Sequence, residues 1–480
     1  MAFSSRPVQQ GVTPRRAAAD SGSLSNADPA PRLMPDQHAA AILLAAGKGT
    51  RMKSRLPKVM HRIAGRTLVG HVLASLAPLG LARAVVVIAP GMDDVAAEVA
   101  PHPTAFQTEQ LGTGHAARCA RGALAGFQGD VLVVFGDTPF VATETFTRML
   151  ARRRQADNPA VVVLGMRPAD SSAYGRLVLG ADGMLQRIVE HKDATEAERA
   201  IGLCNSGVMA IDGAALWPLL ERVGNDNAKG EYYLTDIVAL ARSDGRLCAV
   251  VEAPEAELLG INSRVELAAA EKLFQDAMRR RVMEEGATLV DPGSVFFAAD
   301  TRIGRDVVIG PNVQFGPGVE IADEVEILGF CHIVGARIEK GAIVGPFARL
   351  RPGSVIGEKA HVGNFVELKK TELGAGAKAN HLSYLGDAHI GAKANIGAGT
   401  ITCNYDGFNK TRTTIGAGAF IGSDTSLVAP VTVGEGAIIG AGSVITRDVA
   451  ADALAIARGE QVEKPGWARR FRDKHKGKKD

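Results

Sequence analysis

The sequence has no apolar run approaching the roughly 18 residues that a membrane-spanning helix needs. Its longest candidates, such as Ala39–Ala46 and Ala84–Ala89, are short, so no membrane span is expected. It also lacks a Cys-x-x-Cys. The five cysteines (Cys119, Cys204, Cys248, Cys331 and Cys403) are odd in number and far apart. That excludes a zinc ribbon and a dithiol redox motif, and a reducing cytoplasm is the natural compartment. Residues 1–38 have neither hydrophobic periodicity nor the apolar core of a secretory signal. They read as an unstructured extension, with a transit peptide as the alternative because of Arg15, Arg16 and several serines, and with Met34 as a candidate start. Large net charge is missing too. The chain carries +3, and the 17 residues from Lys464 hold eight Lys/Arg against two Asp. The basic character therefore belongs to the tail, which reads as a solvated end, and a nucleic-acid partner is not expected.

What is abundant is glycine, 55 of 480 residues, unevenly spread. Before the glycine-rich region, apolar runs at Ala41–Ala46, Ala84–Ala89, Val131–Phe135 and Val161–Leu164 read as buried parallel strands, and Leu68–Leu76 has helical spacing. This alternation is the α/β signature. A long helix is expected at Val265–Glu285, opened by a Ser263-x-x-Glu266 capping box and placed as a connector. Beyond it, Ile303, Ile309, Phe315, Ile321, Ile327 and Ile333 recur every six residues. The register resets at Ile338, Val344, Leu350, Ile356, Val362 and Leu368, and returns at Ile415, Ile421, Leu427, Val433, Ile439 and Ile445. Residues 304–442 hold 25 glycines. A six-residue period of this length marks a parallel β-helix, with the aliphatic position stacked inward and small residues at the corners. Two breaks in register, Glu367–Leu385 and Cys403–Thr413, read as loops of the kind that form binding faces in solenoids.

The first chemical motif follows the first strand: Ala45-Ala46-Gly47-Lys48-Gly49-Thr50-Arg51-Met52, then Pro57-Lys58. Small residues let backbone N–H groups approach an anion, and the cations neutralise it. It is not a Walker A loop, and Met52 replaces the third glycine of Gly-x-Gly-x-x-Gly, so an oxidoreductase reading is weak. On local chemistry alone, a phosphate site and an ordinary tight turn both remain open.

Together with later motifs, this segment resembles the signature of sugar-nucleotide pyrophosphorylases. The others are Gln107-Thr-Glu-Gln-Leu-Gly112-Thr113, Phe135-Gly136-Asp137-Thr-Pro139, Tyr174-Gly175-Arg176, Val189-Glu190-His191-Lys192, Asn205-Ser206-Gly207, Gly230-Glu-Tyr-Tyr-Leu-Thr235-Asp236 and Gly260-Ile261-Asn262. With a hexapeptide β-helix behind them, residues 40–467 resemble the bacterial family of bifunctional N-acetylglucosamine-1-phosphate uridylyltransferases and glucosamine-1-phosphate acetyltransferases. Phe135, Ser206 and Asn380 depart from that family's tyrosine, threonine and glycine. The resemblance implies a Rossmann-like nucleotidyltransferase domain (39–262), a linker helix (263–286), a left-handed parallel β-helix of hexapeptide repeats (287–462) and a basic tail (463–480), after the extension (1–38).

It also implies site residues. Asp137 and Asn262 would carry Mg²⁺, and Arg51 and Lys58 would neutralise phosphates. Leu44, Ala45, Ala46, Gly47, Gln107, Gly112, Thr113 and Gly136 would hold UTP. Gly175, Glu190, Asn205 and Thr235 would hold N-acetylglucosamine 1-phosphate. In the β-helix, His381 would be the general base of acetyl transfer to glucosamine 1-phosphate. Arg351, Glu367, Lys369, Tyr384, Asn395, Asn404 and Tyr405 would bind the sugar phosphate or support the site. Ala398, Ser423, Ala441 and Arg458 would contact acetyl-coenzyme A. A cytoplasmic homotrimer supplying cell-envelope precursors is implied as well. Each residue has a plainer reading: Asp137 as a turn cap, Glu190 as a solvated charge, Asn262 as a helix cap, Arg351 and Lys369 in a surface ion pair. The rivals are a single-function pyrophosphorylase whose β-helix only oligomerises, and a catalytically silent scaffold. His381 and the intact Arg51, Lys58, Asp137 and Asn262 count against them.

Overall fold

The computed structural model describes residues 36–476 except Ala173 and Ala228, so the expected extension falls almost wholly outside the described residues. The α/β part is one mixed sheet. Its strands are β1 (Ala39–Leu44), β2 (Arg83–Ile88), β3 (Thr104–Phe106), β4 (Asp130–Phe135), β5 (Val161–Met166), β6 (Arg176–Leu179), β7 (Leu185–Val189), β8 (Cys204–Asp212) and β9 (Cys248–Glu252). The spatial order is β9-β5-β8-β4-β1-β2-β3, with the β6–β7 hairpin attached through β8. The four apolar runs all point the same way, as expected. The sequence did not reveal β8, which lies antiparallel between β4 and β5 and makes the sheet mixed. Its Asn205-Ser206-Gly207 segment interrupts the apolar pattern and coincides with a shift in the β5–β8 register.

The central strands β1, β4 and β5 are almost wholly apolar and buried because both sheet faces are covered. Along β1, Ala40, Ile42 and Leu44 enter one core, with helices Gly213–Arg222 and Ile237–Ser243. Ala39, Ala41 and Leu43 enter the other, with helices Leu68–Leu76 and Thr143–Arg153. Among the described residues, no helix is long and apolar enough to cross a membrane.

The long helix spans Arg264–Glu284, and its capping box is formed on both sides. The Ser263 hydroxyl accepts from Glu266 N at 3.2 Å, and Glu266 Oε2 accepts from Ser263 N at 2.9 Å. At its N-terminal end Ala270 packs with Ile63, Leu68 and Ile261; further along, Met278 and Val282 enter the β-helix core. Gln275 is buried and pairs both ways with the Phe297 backbone, donating to its carbonyl at 2.7 Å and accepting from its N–H at 2.9 Å. The connector is thus bonded to both parts.

The β-helix has three parallel sheets, which we call faces in the order the chain visits them. The first has ten strands, from Thr288–Leu289 to Leu454–Ala455. The second has eight, from Gln314–Phe315 to Val444–Ile445, and the third has eight, from Arg302–Ile303 to Val431–Val433. The aliphatic residues that set the period fill one continuous core. The first expected break is corrected here. Leu368, Leu373, Ala379, Leu385 and Ile390 all point inward, so Glu367–Leu385 is continuous coil and not a loop. Two five-residue steps and the small Ala379 hide the period. His381 accordingly ends strand Lys378–His381. The second break is a true insertion: residues 404–412 leave the coil between strands Ile401–Cys403 and Thr413–Ile415 and fold back through a Tyr405–Lys410 bridge. In the basic tail, Trp467–His475 forms a helix with no buried residue, an element the sequence reading did not anticipate.

Each inward aliphatic packs on its copies one coil above and below. Truncating fully buried Ile327 to alanine should cost about 2–5 kcal/mol, read as a lower urea midpoint in far-UV circular dichroism.

Candidate active sites

The sheet's carboxyl edge opens into a cleft of about 790 Å³. Its floor starts where β1 ends. Leu44 O accepts from Gly136 N at 3.0 Å, and Ala45 N donates to Val87 O at 2.8 Å, so the turn 45–49 is fixed by its neighbours. Gly49 has φ +60°, and a Cβ there would lie 2.5 Å from Lys58 Cβ. The glycine thus brings the lysine against the turn. Gln110, absent from the expected set, donates to Ala46 O at 2.8 Å. On the opposite wall, Thr113 accepts from Leu234 N at 3.0 Å, and Gln107 donates to Gly112 O at 3.1 Å.

Of the residues expected here, Leu44, Ala45, Ala46, Gly47, Lys58, Gln107, Gly112, Thr113, Asp137, Glu190, Asn205 and Thr235 all line the cleft. Gly136 packs behind it against Leu44, Ala45 and Val59, and Gly175 is buried behind Glu190. Arg51 stands apart from the lining, exposed on the turn Thr50–Met52.

The densest polar contact joins three distant segments. Lys58 Nζ is ion-paired with Asp137 and donates to Asn262 Oδ1 at 3.0 Å. Ile261 N donates to Asp137 O at 2.9 Å, which ties the approach to the long helix to the end of β4. Asn262 is not the helix cap: Ser263 takes that role, while Asn262 Nδ2 donates to Gly260 O at 3.2 Å and Oδ1 turns to Lys58. A carboxylate and an amide oxygen thus converge on one positive centre. Such hard donors suit Mg²⁺, which keeps water and phosphate oxygens as further ligands. Among the described residues no group of three or more His, Cys, Asp or Glu side chains is placed to hold a metal ion.

Glu190 opens onto the cleft but is surrounded by enough protein that burial raises its carboxyl above the usual carboxylate range. Lys229, another cleft residue the sequence reading missed, lowers it, while Asp193 and Asp236 add to the rise.

The second constellation lies where the first face of the β-helix turns into the second. His381 is exposed there, and its Nδ1 lies 2.8 Å from Asn364 Oδ1, one coil below. Directly beneath Tyr384 on the second face sits Glu367, which accepts from Arg351 at 2.9 Å and Arg349 at 3.4 Å. Lys369 ends the same strand as Glu367. Asn404 is buried and donates to Asp387, while Tyr405 is exposed on the inserted loop and donates to Gly407 O. Asn395 stands on the first face instead, above Lys378. Asn380 has its Oδ1 buried with no partner among the described residues.

Ala398, Ser423 and Ala441 occupy successive coils on the same corner as His381. The ladder is continuous: Leu382 O accepts from Gly399 N at 3.2 Å, Ala398 O from Asp424 N at 2.7 Å, and Ser423 O from Gly442 N at 2.7 Å. Arg458 then donates to Ala441 O. The sequence-expected contacts therefore form one straight edge rising from the histidine.

The raised carboxyl of Glu190 has a sign that can be checked. Its charged form is disfavoured in the fold, so it destabilises the protein above its raised pKa and not below the ordinary value near 4.5. Glu190→Gln should therefore raise the melting temperature at neutral pH. The gain should shrink as pH falls through the raised pKa and vanish below the ordinary one, by calorimetry across that range.

Two family models match. The MobA-like NTP transferase domain covers residues 41–206, and the bacterial transferase hexapeptide model covers residues 300–335 and 412–447. The chain is 61% identical over 446 residues to "Bifunctional protein GlmU" of Paramagnetospirillum magneticum, covering 93% of this chain and 99% of that one. It is 64% identical over 433 residues to the protein of the same name from Rhodospirillum rubrum, covering 90% and 97%. A solved T. maritima inositol-1-phosphate CTP transferase covers half of this chain at 17% identity and a TM-score of 0.40, too low to build on. Identity at this level over nearly the whole of both chains carries the conclusion that the protein belongs to the bifunctional GlmU family.

Proposed function

We propose that the chain acetylates glucosamine 1-phosphate with acetyl-coenzyme A, and then transfers UMP from UTP to the product, giving UDP-N-acetylglucosamine and pyrophosphate. The observation that carries this reading is whole-length membership of a bifunctional family combined with two separate polar constellations, one in each fold.

In uridylyl transfer, a phosphate oxygen of N-acetylglucosamine 1-phosphate attacks the α-phosphorus of UTP. That P–O bond forms as the bond to the β-phosphate oxygen breaks, and pyrophosphate leaves. The nucleophile is already an anion, so no base is required, and catalysis is positioning and charge neutralisation. The turn 44–47 with Gln107, Gly112 and Thr113 holds the nucleotide. Glu190, Asn205 and Thr235, backed by Gly175, hold the sugar. Lys58 moves from its pairing with Asp137 to the phosphates, and Arg51 meets them from the rim. Asp137 and Asn262 would hold Mg²⁺, which when bound would neutralise the phosphate oxygens. The Lys58 ammonium between those two oxygens supports a cation-binding role for both.

In acetyl transfer, the substrate amine attacks the thioester carbonyl, His381 takes the amine's proton, and the coenzyme A thiolate leaves. Arg351 and Lys369 offer the positive charge for the sugar phosphate, with Tyr384, Glu367, Asn404 and Tyr405 around it. Acetyl-coenzyme A runs along the edge Ala398, Ser423, Ala441, where small side chains permit close approach, and ends near Arg458. Asn395 is on a different face from Arg351 and Tyr384, so it completes the site of a neighbouring chain in a homotrimer. An exposed stack of Phe330, Phe347 and Phe365, with ring centroids 4.9 and 5.3 Å apart, supports burial against a second copy. UTP and acetyl-coenzyme A as substrates place the enzyme in the cytoplasm, feeding peptidoglycan and lipopolysaccharide precursors.

The test is a paired assay on one sample: free thiol from acetyl-coenzyme A with glucosamine 1-phosphate, and pyrophosphate from UTP with N-acetylglucosamine 1-phosphate and Mg²⁺. His381→Ala should lower only thiol release, by about 10²–10⁴-fold, and Asp137→Ala should abolish only pyrophosphate release. Pyrophosphate without thiol from the unaltered protein would leave a pyrophosphorylase whose β-helix only oligomerises.

A further inference from the structure

We infer that Asn364 is a positioning residue for acetyl transfer: it fixes the tautomer and direction of the His381 ring so that Nε2 faces the substrate amine. This rests on the reading of His381 as the base. A base must present an unprotonated nitrogen, and a free imidazole exchanges its proton between two nitrogens. With the Asn364 amide assigned so that Oδ1 faces the ring, Nδ1 lies 2.8 Å from it and is the donor. The proton then stays on Nδ1, and the lone pair on Nε2 points away from the coil.

Three features make this contact a built one. Asn364 and His381 are register partners at the ends of adjacent strands, His361–Asn364 and Lys378–His381. Gly363 has no Cβ; one built there would lie 2.0 Å from Asn380 O. The two strands can approach this closely only because the residue before Asn364 is glycine. The backbone beyond the ring is pinned as well: Leu382 N donates to Asn364 O at 3.1 Å, and the Ser383 hydroxyl donates to His381 O at 2.8 Å.

His361, on the strand that carries Asn364, is held below the usual histidine range by burial, then by Lys378 and His381, with Glu326 opposing. His361 and Lys378 on the first face, and Glu367 and Tyr384 around the corner on the second, are the titratable groups flanking the ring. An amide is the acceptor that orients the ring without adding a negative charge that would hold it protonated.

The experiment compares Asn364→Ala and Asn364→Asp with the unaltered full-length protein from about pH 5 to 9, with pyrophosphate release by the same samples as the control for folding. Asn364→Ala should lower kcat of acetyl transfer at least about 10-fold, with KM for both substrates within about twofold. Asn364→Asp should retain more kcat than the alanine variant. Its acid limb should move to higher pH, because a carboxylate at that position stabilises the imidazolium. The inference is overturned if Asn364→Ala keeps kcat within about twofold, if its loss appears in KM instead, or if the aspartate variant's acid limb stays in place. His381→Ala, run alongside, separates the two claims. Retained acetyl transfer in that variant removes the base itself, whereas its loss with a normal Asn364→Ala removes only the positioning role.

Discussion

Backbone pairing between successive coils is the constraint from which the His381 constellation follows. Parallel strands stacked about 4.8 Å apart bring residues 17 apart in the chain into direct contact, as Asn364 and His381 are. The inward aliphatics hold that spacing, and the outward residues inherit it. His381, Asn364 and the small residues Ala398, Ser423 and Ala441 are thereby set along one edge by the coil spacing alone. Only one loop is added, at residues 404–412, and it brings Asn404 and Tyr405 beside that edge.

The α/β part meets its requirement differently. Its functional residues come from strand ends and turns, and they converge through few backbone bonds. The Ile261–Asp137 bond is the clearest. It carries Asn262 to the end of β4 just before the long helix begins, so the helix start and the Lys58–Asp137–Asn262 cluster are one local structure. Lys58 reaches the same point because Gly49 leaves room for it.

Most of the architecture was legible because it is periodic. Six-residue repeats, buried strands and a capping box all leave a pattern in a single sequence. Features that break the pattern were misread or missed. Ala379 is inward-facing but too small to register as a repeat, so continuous coil looked like a loop. Strand β8 mixes Asn205-Ser206-Gly207 with apolar residues, so its antiparallel insertion was invisible. Most residues carried by the ordered nucleotidyl motifs line one cleft, while Arg51 lies on its rim and Asn395 stands on a different face of the β-helix from Arg351 and Tyr384. Asn364, Gln110 and Lys229 were missed because their places beside these constellations arise from contacts across the fold and not from neighbours in sequence. For Asn364 the signal was available only through the coil period: it sits one turn before His381.

The coils of the β-helix touch only the coils above and below them. A whole turn added between Phe315 and Ile333 would leave every register from Asn364 upward unchanged, since each contact there is made with a near neighbour. The stretch of β-helix before His381 therefore behaves as a spacer of quantised length. It sets the separation between the cleft and the His381 corner in increments of about 4.8 Å, and a turn added there leaves the contacts around His381 in place.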